Sequence, residues 1–215
     1  MSFPSIKALL ALAVALLAFG ASASTAVGAT FEATQYPATP QGSSGVGVFK
    51  VVTQAGSVEC QNGFHVQFNE RTTTASMDIT FSECKAFGFT SATVKTEGCE
   101  YLLHGTQTVA ENEFRAKLDL ECPTGKSIKV ATTTCEMEIK SQTGLTAVRI
   151  NNDLASSPDD ITLDPEVTGL AYTVTKDGFA CPFSGTGSKT DGQLVAGEGI
   201  TLAGQGGTVG VKLVP

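Results

Sequence analysis

From Val48 onward the chain alternates. Phe64, Val66 and Phe68 are separated by His65 and Gln67, and Met77, Ile79 and Phe81 by Asp78, Thr80 and Ser82. A period of two sends successive side chains to opposite faces of an extended backbone, so each run describes a strand with one apolar and one wet face. Gly, Asn and Asp separate the runs, as they do where strands turn. The same pattern predicts strands over 90–95, 99–103, 114–120, 127–131, 136–140, 146–151, 170–175 and 193–202. The nearest approach to an amphipathic helix, 110–119, carries Phe114, Ala116 and Leu118 ahead of Leu120, a spacing of two rather than ~3.6. The fold class expected is all-β: an antiparallel β-sandwich or a partly closed barrel of roughly ten strands.

The N-terminus follows a different rule. Lys7 is the one cation ahead of an uncharged apolar run from Ala8 to Phe19, and small residues follow. Such a run is short of the ~20 residues a membrane-spanning helix needs, and it has the layout of a secretory signal. Cleavage is expected after Ala21-Ser22-Ala23 or Val27-Gly28-Ala29. No basic cluster follows to stop transfer and no cysteine to take a lipid, so no membrane span is expected once the leader is removed. Residues 1–29 are read as the signal peptide, 30–47 as an extended or flexible entry segment rich in Thr, Gly, Ser and Pro, and 48–215 as a single all-β domain. Losing the leader takes one lysine and no acid, which leaves 13 basic against 21 acidic residues and a net charge of −8. A field of that sign argues against nucleic acid and anionic lipid as partners.

Six cysteines lie in the mature part: Cys60, Cys84, Cys99, Cys122, Cys135 and Cys181. In an exported chain an even number reads as disulfides, here three, and no pair has the Cys-x-x-Cys spacing of a zinc or redox motif. A repeat bears on their pairing. VECQNGFHVQF from Val58 resembles LECPTGKSIKV from Leu120, TTTASMDI from Thr72 matches TTTCEMEI from Thr132, and TVKTEG from Thr93 matches TVTKDG from Thr173, all in the same order. Two duplicated halves, 48–105 and 110–192, would put an extra loop around 151–164 in the second. That symmetry favours Cys60–Cys84, Cys122–Cys135 and Cys99–Cys181; the rival keeps Cys60–Cys84 and joins Cys99 to Cys122 and Cys135 to Cys181. Both remain among the fifteen pairings six cysteines allow.

The run Gly98, Cys99, Glu100, Tyr101, Leu102, Leu103, together with the leader and the cysteine-bearing β pattern, resembles uncharacterised secreted proteins of high-GC Gram-positive bacteria. The resemblance implies export and β structure and brings no activity with it.

Candidate chemistry is sparse. His65 and His104 are the two histidines, and either could serve a hydrolase as a general base for a serine, oriented by a carboxylate. No Gly-x-Ser-x-Gly elbow accompanies them; Gly42-Ser43-Ser44-Gly45 has the wrong spacing. A carboxylate pair for glycoside hydrolysis needs sugar-stacking platforms, and the chain has no Trp and only Tyr36, Tyr101 and Tyr172. The acidic stretch from Asn151 to Glu166 offers Asp153, Asp159, Asp160 and Asp164 as candidate calcium ligands, though without the order of a loop that wraps the ion. Gly185-Thr186-Gly187-Ser188-Lys189-Thr190 departs from a phosphate loop at Ser188 and reads as a hairpin turn continued by Asp191-Gly192. The glycine-rich 197–210 ahead of the alternating Val209, Val211 and Leu213 reads as a turn into a last strand. No cofactor is expected beyond the calcium candidate. The functional expectation is a non-enzymatic secreted or cell-surface protein, binding or structural, with a cell-envelope component or another protein as partner; the alternative is a secreted hydrolase.

Overall fold

The computed structural model describes residues 28–44, 49–53, 56–155, 159–179, 181–183, 185–196, 200–203 and 209–215. Residues 1–27 of the expected leader and most of the glycine-rich 197–210 lie outside them. Among the described residues there are strands and no helix. In chain order they are β1 (Thr30–Ala33), β2 (Gln41–Ser44), β3 (Phe49–Thr53), β4 (Gly56–Val66), β5 (Thr74–Ala86), β6 (Thr90–Ser91), β7 (Thr93–Lys95) and β8 (Glu100–Ala110). The second half adds β9 (Glu113–Glu121), β10 (Ile128–Ala131), β11 (Glu136–Ile139), β12 (Gln142–Asp153), β13 (Asp160–Lys176), β14 (Gly187–Ala196), β15 (Ile200–Ala203) and β16 (Val211–Val214).

The pairings trace a ring. β12, β9, β8, β5, β4, β2, β15 and β13 are hydrogen-bonded neighbours in that order, and β12 pairs again with β13. Every neighbouring pair is antiparallel, so of the two expected architectures the chain takes the partly closed barrel. β3 and β14 bridge β4 to β13 a second time, and β11, β10 and β7 continue outward from β13.

Alternation decides what points inward. Phe114, Ala116, Leu118 and Leu120 of β9 are buried while the residues between them are not. Two strands change phase midway. In β5 the buried set runs Ala75, Met77, Ile79 and resumes at Cys84 and Ala86, with Glu83 at φ 50° between. In β13 it runs Ile161, Leu163, Pro165, Val167 and resumes at Leu170, with Gly169 at φ 74° between. A residue in the left-handed region lets a bulge absorb one extra position, so a long strand keeps its apolar face inward as the barrel curves.

β1 and β16 form a separate two-stranded sheet, tied to the rest by Phe31 bridging to Thr72 and by Asn152, whose amide both donates to and accepts from the backbone of Leu213. Phe31 is 1% exposed and stacks on Phe68 with ring centroids 5.7 Å apart. A Cβ on Gly105 would stand 2.5 Å from the carbonyl oxygen of Ala29, so only glycine lets this segment settle on β8. The stretch expected as an extended or flexible entry thus contributes two strands, with Phe31 and Ala38 in the core, and Ala29, expected as the last residue of the leader, is buried as well.

The disulfides are Cys60–Cys84, Cys99–Cys122 and Cys135–Cys181. The symmetric pairing favoured from the repeat is therefore corrected: neither Cys122–Cys135 nor Cys99–Cys181 forms. The reason is local. Cys99 and Cys122 flank the paired ends of β8 and β9, where Glu100 lies opposite Glu121, while Cys135 enters β11 beside the loop that holds Cys181. The repeated segments also differ in form: 58–66 is continuous strand, whereas its counterpart is the end of β9, a turn, and β10. The loop expected around 151–164 is a hairpin, paired from Asp153 opposite Asp160 to Val148 opposite Pro165. The turn expected at 185–192 is a strand from Gly187 on, with Ser188 opposite Thr173 and Gly192 opposite Leu170.

Two apolar voids have room for about 20 Å³ each and are lined by side chains such as Tyr101, Leu118, Ile139, Leu163 and Leu194. A dry apolar gap of that size holds no ligand.

Candidate functional site

His65 lies exposed on the wet face of β4, opposite Asp78 in register. His104 is better placed. Thr74 of β5 lies directly across from it, and Thr74 Oγ1 is 3.2 Å from His104 Nδ1; His104 Nε2 is 3.0 Å from Asp119 Oδ2. Asp119 Oδ1 in turn accepts the N–H of Gly144 at 2.6 Å. Hydroxyl, imidazole and carboxylate therefore stand in line, the order a general-base mechanism uses. Nearby donors are committed elsewhere, since Thr74 N–H goes to Thr72 Oγ1 and Gly105 N–H to Thr73 O. A developing oxyanion needs such donors.

The four calcium candidates are separated in their roles. Asp153 and Asp160 face each other across the β12–β13 hairpin, and the carboxyl of Asp160 is held above the usual carboxylate range by burial and by the charges of Asp153 and Asp159. Asp159 lies 3.8 Å from Lys212 of β16, and Asp164 accepts from Asn151 Nδ2 at 3.4 Å. Among the described residues, the one group of three Cys, His, Asp or Glu with ligand atoms all within 4.8 Å of each other is Cys135, Asp177 and Cys181. Its two cysteines are joined to each other as a disulfide.

A feature that sequence reasoning passed over lies at the β9–β10 turn. Cys122, Pro123, Thr124, Gly125, Lys126 and Ser127 form one wall of an open hollow of about 430 Å³. Lys129 of β10, Glu138 of β11, and Lys140 and Ser141 beyond it complete the lining. The turn is closed by Lys126 N–H donating to Pro123 O at 2.9 Å, with Gly125 at φ 76°, and Ser141 Oγ accepts the N–H of Cys122 at 2.9 Å. Ile128, Val130, Met137 and Ile139 point inward, which turns Lys129 and Glu138 outward opposite each other. Lys129 Nζ also lies 3.3 Å from Glu97 Oε1. That contact, with the Ser127 N–H and the nearby charge of Lys126, holds the Glu97 carboxyl below its ordinary range. The signal was present in the sequence as Lys126, Lys129 and Lys140 close together in an acidic chain. Their convergence depends on the β10–β11 hairpin.

Comparison with family models, with curated proteins and with solved structures finds no match to this chain.

Proposed function

We propose that this is an exported, non-enzymatic protein that binds a cell-envelope component through its outer surface. The observation that carries the reading is the contrast between apolar voids with room for about 20 Å³ each and an exterior hollow of about 430 Å³ lined by three lysines, Glu138 and three hydroxyl residues. Pockets that take small ligands begin at roughly 300 Å³. Three disulfides are consistent with an oxidising compartment outside the cell. The packing of Gly28 and Ala29 against Gly105 supports leader cleavage after Ala23 rather than Ala29, because the later site would remove a residue that is 2% exposed. The test is retention of the mature, disulfide-bonded protein on the envelope fraction of the producing cells. Specific, saturable retention is expected; passage through every fraction would refute it.

One observation favours a second reading, a secreted hydrolase, namely the Thr74, His104 and Asp119 alignment. On that reading an ester substrate would be turned over and His104→Ala would reduce the rate by a factor of 100 or more, on the order of what a general base contributes. The binding reading expects no turnover in either protein.

A further inference from the structure

We propose that the hollow at the β9–β10 turn binds a compact anion carrying two or more acidic oxygen groups, carboxylate or phosphate, between Lys126, Lys129 and Lys140. The inference rests on the reading of the protein as a binder and names the class of ligand.

Two carboxylates already stand by these lysines: Glu138 lines the hollow opposite Lys129, and Glu97, just outside the lining, reaches Lys129 Nζ at 3.3 Å. The segment that carries Glu97 is tied to the turn that forms the hollow. Glu97 at φ 50° and Gly98 at φ 82° lead into Cys99, which is bonded to Cys122 at the start of the opposing turn. A donor set built this way is prepared for an oxyanion before any ligand arrives.

Three lysines against these two carboxylates leave positive charge over. Lys126 and Lys140 make no ion pair among the described residues, and both line the hollow. Ser141 uses its oxygen to accept Cys122 N–H and keeps its hydroxyl proton as a donor, and Thr124 and Ser127 add hydroxyls to the same wall. An anion with a single charge would duplicate what Glu97 does. One with two or three charges can displace Glu97 from Lys129 and also engage Lys126 and Lys140.

The protein as a whole carries a formal charge of −7 with its leader, which repels a long polyanion. A compact ligand is treated differently. At physiological salt, charges more than about 8 Å away are largely screened, so a ligand confined to the hollow feels the three lysines more than the distant acids. A volume of about 430 Å³ suits a molecule of that kind.

Citrate and inorganic pyrophosphate serve as the two probes, each titrated into the disulfide-bonded protein at low salt and followed by amide chemical shifts. Saturable shifts centred on residues 97, 122–129 and 138–141 are expected with at least one probe. Citrate alone would identify a carboxylate ligand, pyrophosphate alone a phosphate ligand. The double variant Lys126→Ala/Lys140→Ala, checked for an unchanged melting temperature, should bind about tenfold or more weakly, and Glu97→Gln several-fold more tightly because the internal competitor has lost its charge. No saturable shift with either probe, undiminished binding by the double variant, or weaker binding by Glu97→Gln would overturn the proposal. Equal retention of wild type and double variant on the envelope fraction would overturn this site and leave the binding reading intact. Absence of retention alongside a positive titration would do the reverse.

Discussion

Asp160 shows how a single residue reports the fold's electrostatics. It stands opposite Asp153 in the β12–β13 register, with Asp159 adjacent, and like charges directly across a strand pair repel. Its carboxyl is held above the usual range, so the folded chain binds its proton more readily than the unfolded chain does. Above the folded value the ionised group opposes folding. As pH falls through that value toward the unfolded one, about 3.9, the opposition is relieved. Asp160→Asn should therefore raise the melting temperature at neutral pH, by a small amount on the order of 1 °C given solvent screening, and the gain should vanish as pH drops below the carboxylate range. Thermal unfolding at several pH values checks this; a gain that grew on acidification would contradict the assignment.

At the scale of elements, the cap made by β1 and β16 is where the chain's two ends are joined. Phe31 contributes most of its buried surface, so Phe31→Ala is expected to cost about 3–5 kcal/mol, read as a lower denaturant midpoint. A loss below about 1 kcal/mol would mean that the cap is not part of the cooperative unit. Elements were also where the sequence was most and least informative. Strands with an unbroken period of two, such as 114–120, were legible because alternation alone specifies which face is buried. The first half of β13 was hidden: Asp160, Asp164, Pro165 and Gly169 are residues of turns by composition, and the bulge at Gly169 breaks the phase that would have joined Leu163 to Leu170. The disulfides were hidden for another reason. A real echo in sequence, with Met77 and Met137 both buried, suggested a symmetry that β4 and the β9–β10 turn do not share. The hollow was half legible, since Lys126, Lys129 and Lys140 stand close in sequence but meet Ser141 and the Cys122 turn only once the β10–β11 hairpin has formed.

For the whole molecule, the apolar voids have room for about 20 Å³ each, while the imidazole–carboxylate pair of His104 and Asp119 and the hollow with mixed charge both lie on strands and turns that reach the surface. Disulfides brace the turns around that hollow rather than the barrel wall alone, since Cys122 is both a lining residue and a cross-link. On the proposed reading the molecule binds through its outer surface at the β9–β10 turn. The decisive measurement is hydrogen exchange on the protein held by the envelope fraction, compared with the free protein. Added protection is expected at residues 122–129 and 138–141 with the strand interiors unchanged; protection centred instead on Thr74, His104 and Asp119, or spread through the barrel core, would contradict it.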